Sequence, residues 1–350
     1  MATSQDLSRR NVIKGGAALT LGVMLPRALW AQSAGKVSTT VFGGVWEQSY
    51  RAAIVDRFEA ATGAKVDLQL GSSAEWLTSA LLNQAAPEVD LLMLPYPDSI
   101  KAVMSGIGAE LTAAEIPNLA HVNPRWYDQY QRRAVGLDYA SYGIAYRTDL
   151  VKNPVTSWQD LFKPDFAQKI ALPNIGTWGS WELLVMLARL KGGDEDNLQP
   201  AFTALRELKP NIRRFFTSST DAMSLLDSGE VSAVGMITNI PAYALIDAGK
   251  PVGFSFPTEG ANVGMVSYHL AKNAKYPDLC KQFINHAISK ESQELLCNRL
   301  IAGPVRDDAI LTGKAAERVP ALDHLTLFDW FKIVPQMSAL TDQWNYEVAG

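Results

Sequence analysis

Cysteine is nearly absent from this 350-residue chain, which carries only Cys280 and Cys297. No Cys-x-x-Cys spacing occurs, and His121, His269, His286 and His324 stand far apart. A zinc or haem site built from local ligand spacing is therefore excluded, and no metal or other cofactor is expected. Runs of lysine and arginine are lacking too. The net charge is −4 overall, and −7 once residues 1–34 are set aside, because that stretch holds Arg9, Arg10, Lys14 and Arg27 against Asp6 alone. A mildly acidic chain without a basic block excludes nucleic acid as a partner and argues against anionic lipid. Long apolar runs are missing as well. Nothing after Leu25 approaches the roughly 20 residues that a membrane-spanning helix needs.

What is present begins with an export pattern. Ser8-Arg9-Arg10-Asn11-Val12-Ile13-Lys14 sets an arginine pair before a weakly apolar run, 15–25, and a small-residue stretch, 28–34. This layout is a bacterial export signal of the twin-arginine type, with Val12 where that pattern usually has phenylalanine. Cleavage is expected between Ala31 and Ala34, leaving a periplasmic chain. An apolar content of 47% with 19% charged residues describes an ordinary globular protein. The length exceeds one comfortable core, so two lobes are expected. In the helical C-terminal part, Cys280 falls near the start of one helix (277–289) and Cys297 near the end of the next. If these pack as an antiparallel hairpin a disulfide is geometrically possible, the alternative being two separately buried thiols.

Strand and helix alternate along the rest of the chain. Residues 37–42 read as a strand ending at Gly43-Gly44, and 46–61 as a helix with Tyr50, Ile54 and Phe58 on one face and Gly63 as its stop. Val66, Leu68 and Leu70 alternate as a second strand, 74–84 is helical, and 89–94 is apolar enough for a strand covered on both faces. A second cycle runs through strands at 170–172, 212–216, 231–237 and 252–256. Its helices begin at Ser180, Asp221 and Ile240. The order predicts an α/β fold with two mainly parallel sheets flanked by helices, joined by a crossover near 139–147 and a return near 262–270. Residues 35–140 plus 262–303 form one lobe; 141–261 plus 304–350 form the other with the C-terminal helices.

Ligands of such sheets sit beyond the carboxyl ends of the strands. That rule selects the loops at 43–46, 71–73, 95–98, 174–180, 217–220 and 238–239. The candidate ligand-binding residues are accordingly Gly44, Trp46, Ser72, Ser73, Tyr96, Asn174, Thr177, Trp178, Ser180, Ser218, Ser219 and Asn239. Serine and threonine at such positions are also routine helix caps. Trp181, at helical spacing from Leu184, reads as core, and of Arg213 and Arg214 alternation lets one at most face a cleft.

Several segments, in order and spacing, resemble the periplasmic solute-binding proteins of ABC importers, in the class that includes spermidine- and putrescine-binding proteins. Phe58-Glu59-Ala60-Ala61-Thr62-Gly63-Ala64-Lys65-Val66 is similar to that family's first helix-to-strand junction, and Tyr142-Gly143-Ile144-Ala145-Tyr146 to its first hinge strand. Thr156-Ser157-Trp158-Gln159-Asp160-Leu161-Phe162-Lys163-Pro164 resembles the entry into its second lobe, and Pro257-Thr258-Glu259-Gly260 continues the pattern. The resemblance implies a two-lobed, non-enzymatic receptor, acting as a monomer, that closes on a small-molecule solute and docks to the transmembrane subunits of a permease.

The departures bear on the ligand. Polyamine-binding members carry two acidic residues in the loop aligned with 174–178, aromatic residues at Thr238 and Gly264, and a carboxylate at Val266; this chain has none of these. The strand-end loops are instead rich in hydroxyl and amide groups, which suit a carboxylate or phosphonate. The expected ligand is thus a small polar solute with an anionic group, held by 217–220 and 177–180, with Trp46, Tyr96 and Trp178 as apolar walls. A polyamine is the alternative. An enzyme on the same fold would need an activated cysteine or a carboxylate pair in the cleft, but both cysteines lie away from every strand-end loop and no Ser-His or Cys-His pattern occurs; iron capture would need an adjacent tyrosine pair, which the chain lacks.

Overall fold

The computed structural model describes residues 35–348; the expected export signal lies outside the described residues. Nine strands carry the architecture: β1 (Lys36–Val41), β2 (Lys65–Leu70), β3 (Leu91–Pro95), β4 (Val135–Arg147), β5 (Ile170–Pro173), β6 (Ile212–Phe216), β7 (Ala233–Thr238), β8 (Val252–Ser255) and β9 (Ala261–Leu270). They are ordered β2-β1-β3-β9-β4-β7-β5-β6, with β8 also pairing β4. β1 runs parallel to β2 and β3, and β5 runs parallel to β6 and β7. Between these two parallel groups lie β4 and β9, paired antiparallel.

β4 changes partners along its length. Val135 to Tyr142 pair with β9, and Tyr142 to Arg147 pair with β7 and β8. Its sequence explains why one strand serves both halves: every residue except Arg147 is buried, and valine, isoleucine, leucine and tyrosine dominate. The strand directions then place the site. β3 and β4 both run against β9, so β3 is parallel to β4, whereas β7 runs against β4. The carboxyl ends of both parallel groups therefore point toward the zone around Tyr142 where β4 is handed over. This is the two-lobed arrangement, with the cleft between the lobes.

Local chemistry fixes the junctions noted in the sequence. The first helix runs from Val45–Tyr50 through a π-turn at Arg51–Val55 to Asp56–Thr62. Gly63, with φ 73°, stops it in the left-handed region. The Glu59 carboxylate accepts from the Val66 N–H at 2.8 Å and from Lys65 Nζ at 2.9 Å, tying helix end to strand start. At the second-lobe entry, Ser157 and Asp160 form a capping box and Glu259 accepts from the Trp158 N–H at 3.3 Å. Trp158 itself is core, as its motif suggested. No helix among the described residues is long and apolar enough to cross a membrane.

The disulfide expectation needs correction. Cys280 and Cys297 are both free and fully buried. Cys280 sits on the helix Pro277–Ala287, which packs on β1 and β9, and it lies near Asp90. Cys297, on the helix Lys290–Leu300, which packs on β4, lies near Asp138. The two helices direct their thiols into different parts of the core, and burial pushes both thiols well up from their ordinary range. A thiol-reactive dye should accordingly label neither cysteine in the folded protein and both after denaturation, with identical results with and without prior reduction; a reduction-dependent signal would restore the bridge.

Candidate functional site

A cleft of about 600 Å³ opens where the carboxyl ends converge. One wall is Ser73, at the start of the helix after β2, Tyr96, in the turn after β3, and Asp98 and Lys101, on the helix Asp98–Met104. The opposite wall is Thr177, Trp178, Trp181 and Glu182, from the loop after β5 and the helix Ser180–Leu190; the C-terminal helix Met337–Glu347 closes the side with Met337, Ser338 and Thr341. Of the sequence candidates, the fold brings Ser73, Tyr96, Thr177 and Trp178 together here.

The others have structural duties. Gly44 starts the first helix with φ 74°. Ser72 caps Ser73–Leu82 in a reciprocal box with Glu75, and Ser218 caps Ser219–Asp227. Ser218 and Ser219 are exposed beyond β6, the edge strand, and line no part of this cleft. Arg213 and Arg214 are both exposed there, against Glu230 and Asp221, so neither faces the cleft. Asn174 accepts from the Trp344 indole at 3.2 Å, and buried Asn239 accepts from the Ser141 N–H while donating to the Ile301 carbonyl. Ser180 does not cap its helix. Gly179 does, with φ 89°, because a Cβ there would sit 2.7 Å from the Met236 carbonyl; Ser180 Oγ instead accepts from the Gly176 N–H.

Aromatic rings frame the mouth. Phe42, at the exit of β1, lies edge-on to Trp46 at 5.8 Å, to Trp178 at 5.8 Å, and tilted on Trp76 at 5.3 Å. Trp178 therefore reaches from the loop after β5 to the end of β1, although it remains 42% exposed. Tyr96 is stacked between Tyr130 and Trp330 and is a rigid part of the wall. Tyr142 explains one departure from the polyamine-binding pattern: a Cβ at Gly264 would come within 3.0 Å of its ring, so this ring occupies the space of a larger side chain there.

Sequence reasoning missed Asp98 and Lys101 and, above all, Glu182. It is 3% exposed, lines the cleft, and makes no salt bridge or side-chain hydrogen bond among the described residues. Its charge is felt by Tyr96 and Tyr142, which lie beside it. Burial pushes its carboxyl from the ordinary 4.5 up to about 8, opposed only by its own backbone N–H. A usable signal was there: in Ser180–Leu190, SWELLVMLARL, Glu182 is the lone acid in an otherwise almost wholly apolar helix. Asp98 and Lys101 form an ion pair at 3.0 Å on the facing wall, and Asp98 also accepts from Ser73 Oγ at 2.7 Å.

The family model for bacterial extracellular solute-binding proteins matches residues 53–322, and the chain belongs to that family. It is 27% identical over 278 residues to spermidine/putrescine-binding periplasmic protein 1 of Haemophilus influenzae, covering 76% of this chain and 75% of the relative. The spermidine/putrescine-binding periplasmic protein of Escherichia coli is 24% identical over 299 residues, 78% of this chain and 83% of the relative. An extracellular solute-binding protein from Bordetella parapertussis has the same fold, with a TM-score of 0.81 at 26% identity over 89% of this chain and 98% of its own. An ABC transporter structure from Clostridium perfringens gives 0.79 at 25% identity over 89% and 99%. The fold and family are those of the substrate-binding component of an importer.

Glu182 sets a pH signature for the empty protein. Between 4.5 and about 8 the folded state keeps a proton that the unfolded chain has released, so this group's contribution to stability falls as pH rises through that window. Asp138, buried and raised to about 7, acts in the same direction. Glu182→Gln should therefore make the decline in melting temperature between pH 6 and 9 shallower than in the parent. Parallel curves would show that the carboxyl is not buried as described.

Proposed function

We propose that the chain is the periplasmic receptor of an ABC importer and that its solute carries an amino group, which pairs with Glu182. The single observation behind this reading is a buried carboxyl without a partner, in a cleft walled by Tyr96, Trp178 and Trp181. A buried acid is costly alone and is satisfied by an ammonium group that brings its own charge and donors. Aromatic faces nearby add cation–π attraction. The names of the relatives, which cite spermidine and putrescine, agree with an amine. The expectation of an anionic solute placed its group at 217–220 and 177–180; of these, Thr177 to Gly179 line this cleft and the 217–220 loop does not. In this reading the lobes are 35–140 plus 262–303 and 141–261 plus 304–350, residues 1–34 are the export signal, and the loaded monomer is delivered to the permease without chemistry on the solute.

Calorimetry against amines, diamines, amino acids and dicarboxylates tests the reading, because a ligand of the folded state also raises the melting temperature. Amine-bearing solutes should bind and dicarboxylates should not. Glu182→Gln should weaken amine binding by roughly 10- to 150-fold, the worth of one charge-assisted hydrogen bond. Below pH 8 the parent's affinity should climb with pH by up to about tenfold per unit, with proton release on binding, because the ammonium needs the ionised carboxylate. Trp178→Ala should weaken binding with little change in the melting point of the empty protein. Binding by dicarboxylates alone, or amine binding indifferent to Glu182→Gln, sinks the proposal.

A further inference from the structure

The cleft holds two carboxylates, and they are not equivalent. Glu182 is unpartnered, whereas Asp98 is occupied twice, by Lys101 Nζ at 3.0 Å and by Ser73 Oγ at 2.7 Å. Asp98, Lys101 and Ser73 all line the same space as Glu182 but stand on the facing wall. Lys101 is about one third exposed and Asp98 largely buried. An ammonium group has three N–H donors, and among the described residues Asp98 is the only acceptor bonded to Lys101. The cleft thus presents one unpartnered carboxyl on one side, which gives up its proton when an ammonium group docks, and a cation with spare donors on the other.

A solute with two ammonium groups meets only half of what it needs here. Its first end pairs with Glu182, while the carboxylate available to its second end is neutralised by Lys101, whose own charge faces it. We propose that Lys101 is a specificity-determining residue, which makes the cleft reject diamines and select solutes with a single amino group whose other end is anionic or neutral. This rests on the amine reading of Glu182 and narrows it: the favoured class is a zwitterion of amino-acid type, its ammonium at Glu182 and its anionic end at Lys101. Like charges brought face to face in a closed site are disfavoured strongly enough to set partner choice, and a carboxylate there reverses the sign.

Three probes of equal chain length separate the terms: butylamine with one cation, 1,4-diaminobutane with two, and 4-aminobutanoate with a cation and an anion. In the parent, 4-aminobutanoate should bind tighter than 1,4-diaminobutane. Lys101→Met removes the charge, keeps much of the stem and frees Asp98, so the affinity ratio of the diamine to the amino acid should rise roughly tenfold or more. Lys101→Arg, which keeps the charge, should hold the parent's ratio, and Lys101→Gln serves as the second neutral variant if Lys101→Met melts early. A ratio within about twofold of the parent in a folded neutral variant overturns the role of Lys101 while leaving the amine reading intact. A parent that binds none of the three removes both. Parent binding of the diamine in preference to the amino acid overturns the zwitterion assignment directly.

Discussion

The cleft exists because one buried strand has two sets of partners. Along β4 the backbone hydrogen bonds pass from β9 to β7 at Tyr142, and no break in the chain accompanies the change. Once that strand is shared, the directions of its neighbours follow, and the loops after β1, β3 and β5 are forced to face one another. Side chains then specialise by position. Those near the handover, such as Tyr142, are buried between the strands, and others, such as Trp178 and Glu182, line the cleft. The strand itself brings almost no polarity to the junction, since Asp138 and Ser141 are its only buried hydrophilic side chains besides the tyrosine hydroxyls.

Much of this was legible in the sequence because it depends on patterns with short range. Most of the largely apolar run at 89–94 falls in β3, Leu91–Pro95, every residue of which is buried, and Gly63 ends the first helix as its place in the sequence suggests. The alternation of elements, in the order found, follows from the same periodicities. The crossover near 139–147 falls within β4, since a run such as Val135–Arg147 has nowhere to go but the middle of a sheet.

The site was legible only in part, for a physical reason. The strand-end rule selects loops, and it finds Ser73, Tyr96, Thr177 and Trp178. It gives no weight to a residue inside a helix, so Glu182, three residues into Ser180–Leu190, escapes it. Nor does it discriminate between hydroxyls that face a ligand and those consumed by the backbone, which is why it also selects Ser72 and Ser218. The disulfide expectation fails differently. The spacing of Cys280 and Cys297 allows a hairpin contact, but which way each helix turns its thiol depends on packing against β1 and β9 in one case and β4 in the other.

The contact of Phe42 with Trp178 spans the mouth, and its strength bears on how the receptor works as a machine. An edge-on aromatic pair contributes about 0.5–1.5 kcal/mol beyond the area it covers, an energy of the same order as a few thermal quanta. A clasp that weak holds the lobes without locking them. Any firmer closure has to come from contacts that a bound solute adds, so this pair sets the resting posture of the mouth and not its final grip.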